Sequence, residues 1–226
     1  MSQLIDMFIE PVKAWQQQKE RPTFLLPAVL VAIAATLPAV LYFLHVDPEW
    51  FTNFQLQAMA TEMSASEIEQ AKAFLPGARM TALITGVTSV AFIAIVIAVM
   101  ALYYLLAGKV AGHAVSYRHG LSLASWPSVP MILSAVVVLF GIYTSSPQTP
   151  FQSLQLLNVD PLFVDLPLDH PWSTLAKSFS LLNLWVWFLA ALGWKTWFRT
   201  GWGQALFVVM LPSVVIFGVM ALFAIF

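Results

Sequence analysis

The sequence predicts an all-α membrane protein, a polytopic bundle of five transmembrane helices with short extramembrane helices, its N-terminus cytoplasmic and its C-terminus on the opposite side. Three observations carry that expectation. Hydrophobic residues make up 60% of the 226-residue chain and charged residues only 9%, whereas a soluble domain holds about 25% charged residues to cover its surface. The apolar residues are gathered into stretches of about 20, the length a helix needs to cross the hydrocarbon layer. The Lys and Arg residues, finally, alternate in density between successive connections. The mean hydropathy of +0.81 agrees.

Taken in order, the chain opens with a cytoplasmic segment, residues 1–22, ahead of a membrane domain at 23–226. In the opening segment Leu4, Ile5, Phe8, Val12 and Trp15 recur at helical spacing, which predicts an amphipathic helix lying in the membrane interface with Lys13, Lys19 and Arg21 near anionic headgroups. Pro11 interrupts one continuous helix but suits the first turn of a helix starting there. No cleavable signal sequence is expected, because the first apolar run is too long for one.

The five spans are expected at about 23–44, 80–107, 121–143, 179–197 and 204–226. With the N-terminus inside, the cytoplasmic segments carry Lys13, Lys19, Arg21, Lys109, Arg118, Lys195 and Arg199. The outer segments carry only Lys72, Arg79 and Lys177. That is the positive-inside pattern. The acids gather outside, at Asp47, Glu49, Glu62, Glu67, Glu69, Asp160, Asp165 and Asp169. Trp194, Trp197 and Trp202 flank the inner turn as an aromatic belt.

The first outer loop, 45–79, predicts two short helices. Trp50, Phe51, Phe54 and Ala58 mark one. Ser64 and Glu67 have the spacing of a capping box for the other, with Ser66 a second candidate cap and Ile68, Ala71, Phe74 and Leu75 its apolar stripe. The second outer loop, 145–177, holds five prolines, which forbid a long helix. Its many apolar residues predict packing against the bundle or a shielded dip into the membrane. In the inner loop, Gly108 and Gly112 form a small-xxx-small pair that would allow close helix approach.

No catalytic motif is present: no metalloprotease HExxH, no phosphate loop, no nucleophile elbow and no dinucleotide fingerprint. No catalytic, cofactor-binding or metal-binding residues are expected. His45, His113, His119 and His170 are scattered over three loops, and cysteine is absent. A net charge of -1 gives no basic field for nucleic acid. No ionisable residue falls at the centre of a span, where ion-coupled transporters often place one. The candidate polar residues, for helix–helix hydrogen bonds or a cavity, are Thr85, Thr88, Ser89, Ser128 and Asn183. The candidate helix breaks are Pro27, Pro38, Pro127, Pro130 and Pro212.

The order of EPVKAW, ERPTFLLPAVLVAI, the acidic stretch QLQAMATEMSASEIEQAKAFL, and the later ALYYLLAGKVAGHAVSYRHGLSLASWPSVPMIL and LLNLWVWFLAALGWKTWFRTGWGQALFVVMLPSVVI resembles the bacterial branch of the Yip family, membrane proteins named for interaction with Ypt/Rab GTPases. The resemblance spans nearly the whole chain and implies five spans. The long acidic N-terminal domain and the Asp-Leu-Tyr-Gly-Pro motif of the eukaryotic members are absent, so GTPase binding is not expected. The resulting expectation is a non-enzymatic scaffold, interaction protein or membrane organiser of a bacterial inner membrane. Its expected partners are the lipid bilayer and membrane proteins or further copies of itself. The competing expectation is a small transporter or channel lined by the proline-broken spans.

Overall fold

The computed structural model describes residues 3–59, 64–72, 74–167 and 170–225. Within them the chain is helical, with a lone bridge between Asn158 and Ser180 as its β pairing. Glu62 and Asp169, and the side chains of Ala58, Ser66, Glu69 and Ala71, lie outside the described residues.

Two short helices, α1 (Gln3–Ile9) and α2 (Pro11–Glu20), open the fold. Their break falls at Glu10, because Pro11 has no N–H to extend α1 yet suits the first position of α2. The long helix α3 (Leu25–His45) follows. Pro27 lies in its first turn and Pro38 within its body. Helices α4 (Pro48–Met59) and α5 (Ala65–Lys72) fill the first loop. The two residues of the expected capping box meet there: Ser64 donates to Glu67 Oε2 through its N–H at 2.8 Å and its hydroxyl at 2.6 Å.

Helix α6 (Ala78–Val110) has 33 residues, about 50 Å at 1.5 Å per residue, and so outreaches the hydrocarbon. It ends in a Schellman motif: His113 N–H donates to Gly108 O and Gly112 N–H to Lys109 O. Gly112 takes the left-handed φ of +75° this requires, and no atom would meet its Cβ within 4 Å. Of the expected small-residue pair, therefore, only Gly108 makes a close contact, with Val115.

Helices α7 (Tyr117–Ser125) and α8 (Ile132–Thr144) are joined by a 3-10 segment, Trp126–Met131, so that they form one apolar run, 117–144. Pro127 and Pro130 both sit in that segment, where the missing donors force the tighter winding. The second loop folds into a 3-10 turn (Phe151–Leu154) and two short helices, α9 (Val159–Leu162) and α10 (Ser173–Ser178). Helix α11 (Leu182–Phe198) and helix α12 (Trp202–Ile225) complete the chain.

Four stretches are long and apolar enough to cross a membrane: Leu25–His45, Ala78–Val110, Tyr117–Thr144 and Trp202–Ile225. Helix α11 has 17 residues, about 26 Å, and is shorter than any of the four. The apolar side chains of the four long stretches point outward: Val87 is 74% exposed, Phe92 67%, Phe207 66% and Phe223 83%. In water that surface would aggregate, whereas in lipid it is solvated.

The core is split between the two ends of the bundle. One cluster gathers Trp15, Trp126, Trp194 and Trp197 with Met7, Leu123 and Leu189. This is the basic end, where Lys13, Lys19, Lys109 and Arg199 lie. The other cluster joins Tyr42, Val46 and Phe51 to Val138, Ile142 and Leu154. There α4 and the second loop cap the acidic end, tied by Asp47 N–H to Pro147 O at 3.0 Å and Tyr42 Oη to Thr149 O at 3.0 Å.

Candidate functional site

The most heavily constructed part of the molecule is the basic end, where α1 and α2 fold back against α7 and the C-terminal turns of α11. Met7, Ala14, Trp15 and Gln18 are all buried against the bundle. The opposite face leaves Ile5, Phe8, Ile9 and Val12 exposed, at 46%, 40%, 67% and 47%. The opening segment is thus apolar on two faces. Of the expected stripe, Leu4 and Trp15 turn inward, while Ile5, Phe8 and Val12 face outward.

Trp15 is fully buried. Its ring meets Trp197 edge to face with centroids 5.3 Å apart, the geometry the ring quadrupoles favour. The Trp197 indole N–H donates to Trp15 O at 2.6 Å. Lys19 Nζ donates to Trp197 O, placing a cation on the exposed carbonyls at the C-terminus of α11, where the helix dipole favours it. On the other side of α2, His119 Nε2 lies 3.1 Å from Lys19 O, and its Nδ1 lies 2.6 Å from Ser116 Oγ. Because a carbonyl can only accept, this pairing sets the proton on Nε2.

Gln18 is the polar centre of this end, and it is 1% exposed. Its Oε1 accepts from Thr23 N–H at 2.8 Å and from Ser122 Oγ at 3.0 Å. Its Nε2 donates to Thr23 Oγ1 at 2.8 Å and to Gln3 Oε1 at 3.3 Å. Trp126 Nε1 then donates to Thr23 O at 2.8 Å. The residue that leads into α3 is therefore held at its N–H, hydroxyl and carbonyl together. One glutamine satisfies groups that would otherwise be buried unpaired, each costing about 1–3 kcal/mol. The Trp15 and Trp194 indole nitrogens, by contrast, are buried without a partner among the described residues.

The sequence-selected polar residues are not brought together. Thr88 Oγ1 donates to Ile84 O of its own helix at 2.7 Å and Ser128 Oγ to Ala124 O at 3.4 Å. Thr85 and Ser89 are half-buried on α6. Asn183 lies in the first turn of α11, and its side-chain amide has no hydrogen-bond partner among the described residues. Two large openings beside the helices are apolar grooves, one lined by Val29, Ile33, Leu37 and Val90, the other by Leu184, Phe188, Leu206 and Met210. Neither includes those five residues.

Among the prolines, Pro212 has a visible structural consequence. Lacking an N–H, it cannot donate to Val208 O one turn earlier. Tyr103 Oη of α6 donates to that oxygen at 2.5 Å instead, and the neighbouring Ser213 Oγ accepts from Trp187 Nε1 at 3.0 Å. The break in α12 is thus spent on fastening it to α6 and α11. No group of three or more metal-ligating side chains occurs among the described residues.

Sequence reasoning missed Gln18 and Trp197 as partners of the opening helices. The available signal was a glutamine three residues after Trp15, on the same side of α2, at the end of the run Gln16–Gln18.

The family model for the Yip1 domain matches residues 5–224. A relative, membrane protein YknW of Bacillus subtilis (strain 168), is 23% identical over 223 residues, covering 99% of this chain and 88% of the relative. No solved structure matches.

Proposed function

Because the chain belongs to the Yip1-domain family of membrane proteins, we propose that it is a non-enzymatic organiser of a bacterial cytoplasmic membrane. In this reading the helix pair α1–α2 lies pressed into the inner leaflet. The topology proposed is five crossings, with α11 the short fourth, the N-terminus in the cytoplasm and the C-terminus outside. The clustering of Lys and Arg at the end that carries α1 and α2 supports this orientation.

The observation that carries the proposal is the two-sided packing of α1 and α2. One face is locked to the bundle through Trp15, Gln18 and Lys19. The other presents Ile5, Phe8, Ile9 and Val12. An amphipathic helix free in solution pays ordering entropy each time it binds a bilayer, and one held in place does not. A fixed apolar ridge in one leaflet displaces lipid there and bends or orders it. The back-bonded hydroxyls of Thr88 and Ser128 favour this reading over a polar path through the bundle.

Reconstitution into vesicles tests it. The wild-type protein should change vesicle diameter or form tubules, and the double substitution Phe8→Asp, Ile9→Asp should abolish that while leaving the bundle folded. Unaltered vesicle shape together with solute uptake would overturn the proposal in favour of transport.

A further inference from the structure

The acidic end carries a cavity of about 190 Å³, lined by Gln152, Ser153, Asp160, Asp165 and Lys177 with Phe54 and loop prolines. Asp160 stands out within it. It is 4% exposed, its Oδ2 is buried, and it has neither a hydrogen bond nor an ion pair among the described residues. Lys177, the cation lining the same cavity, donates to Ser173 Oγ at 2.6 Å and makes no ion pair with either aspartate. A buried carboxylate with nothing to neutralise it is disfavoured, and a cationic occupant of the cavity would relieve it.

We propose that this cavity binds a primary ammonium joined to a phosphate, the aminoethyl phosphate headgroup of phosphatidylethanolamine, with the ammonium on Asp160 and the phosphate on Lys177. Several features select that chemistry. Among the described residues no third acidic or imidazole ligand joins Asp160 and Asp165, which argues against a metal ion. An ammonium brings N–H donors for the orphaned oxygen, and a charge-assisted hydrogen bond is among the strongest available. Among the described residues the lining carries one cation and two anions, matching a zwitterion better than a simple amine. The residues next along the chain, Leu162, Phe163 and Val164, are 43%, 67% and 38% exposed, which sets the cavity beside apolar surface where acyl chains would run. The proposal is independent of any role of α1 and α2, which lie at the other end.

Native mass spectrometry of the full chain released from nanodiscs tests it. Retention of phosphatidylethanolamine should exceed that of phosphatidylcholine of equal chain length, whose trimethylated nitrogen has no N–H to donate. Asp160→Asn should cut the preference about tenfold, the weight of one hydrogen bond to a charged group. Equal retention of the two lipids by the wild-type protein would overturn the proposal without any variant having to fold. An Asp160→Asn protein that keeps the preference would do the same. Thermal stabilisation by soluble phosphoethanolamine, with no retention of the lipid, would assign the site to a free ligand and overturn the lipid source.

Discussion

A Cβ placed on Gly193 would stand 2.7 Å from the indole ring of Trp15 and 2.9 Å from Leu123, so the ring of α2 fills the space that a side chain on α11 would need. Gly193→Ala should therefore lift Trp15 out of its seat. Trp15→Ala should cost about 3–5 kcal/mol, the range for deleting a buried aromatic. The coupling is the sharper test. Combined with Trp15→Phe, which frees space at the contact, Gly193→Ala should cost less than it does alone, as a double-mutant cycle on thermal unfolding in detergent will show. Both single variants should also admit protease at Lys19 and Arg21.

Gly120→Ala should be worse than Gly193→Ala. There the added Cβ would lie 2.3 Å from the carbonyl oxygen of Ala101, and a backbone atom of a long helix cannot swing aside as a side chain can. We expect loss of the folded protein on size-exclusion chromatography. Gly218→Ala, with nothing within 4 Å, should be neutral or slightly stabilising in the same assay.

Tyr103→Phe should destabilise by about 1 kcal/mol, the scale of a hydrogen bond between membrane helices. Replacing Pro212 with Ala should remove most of that cost, because α12 would then satisfy Val208 O internally. If Tyr103→Phe costs the same in both backgrounds, the link between that hydroxyl and the proline is wrong.

Glu67 should titrate below the ordinary carboxylate value of 4.5, because the Ser64 hydroxyl and N–H both favour its charged form. A group whose folded pKa is depressed contributes stability above its unfolded value and loses it as pH falls through its folded one. The protection of amides in the first turn of α5, taken relative to the intrinsic exchange rate at each pH, should therefore be fullest above the ordinary carboxylate value and fall as the pH drops below it. Ser64→Ala should weaken that pH dependence, the backbone N–H bond to Glu67 remaining.

These contacts show which parts of the fold could be read from sequence. The box at Ser64 and Glu67, the break before Pro11 and the tightened segment at Pro127 and Pro130 were legible because each depends on residues within a few positions. The long apolar runs were legible because lipid imposes a length. The fourth run is the exception, since a 17-residue helix with Lys195 and several Trp blends span with interface. Gln18 and Asp160 were not legible. On a surface helix or in a loop each reads as a solvated polar residue, and only the meeting of segments more than 100 positions apart buries Gln18 beside Ser122. Gly112 was misread for a related reason, since spacing alone cannot separate a helix cap from a packing contact. Thr88 was legible as a polar position open either to a neighbouring helix or to its own, and it turns back to its own, whereas Ser128 was legible only as a polar position.

The joining of Lys19 to Trp197 also sets an order of events during synthesis. The opening helices are made first, yet part of the surface that receives them is the last turn of α11, about 180 residues downstream. Until α11 has been made Trp15 lacks its ring partner Trp197, although Gln18 can already meet Ser122 of α7. Closure of this end then reports that the preceding helices have been inserted in register.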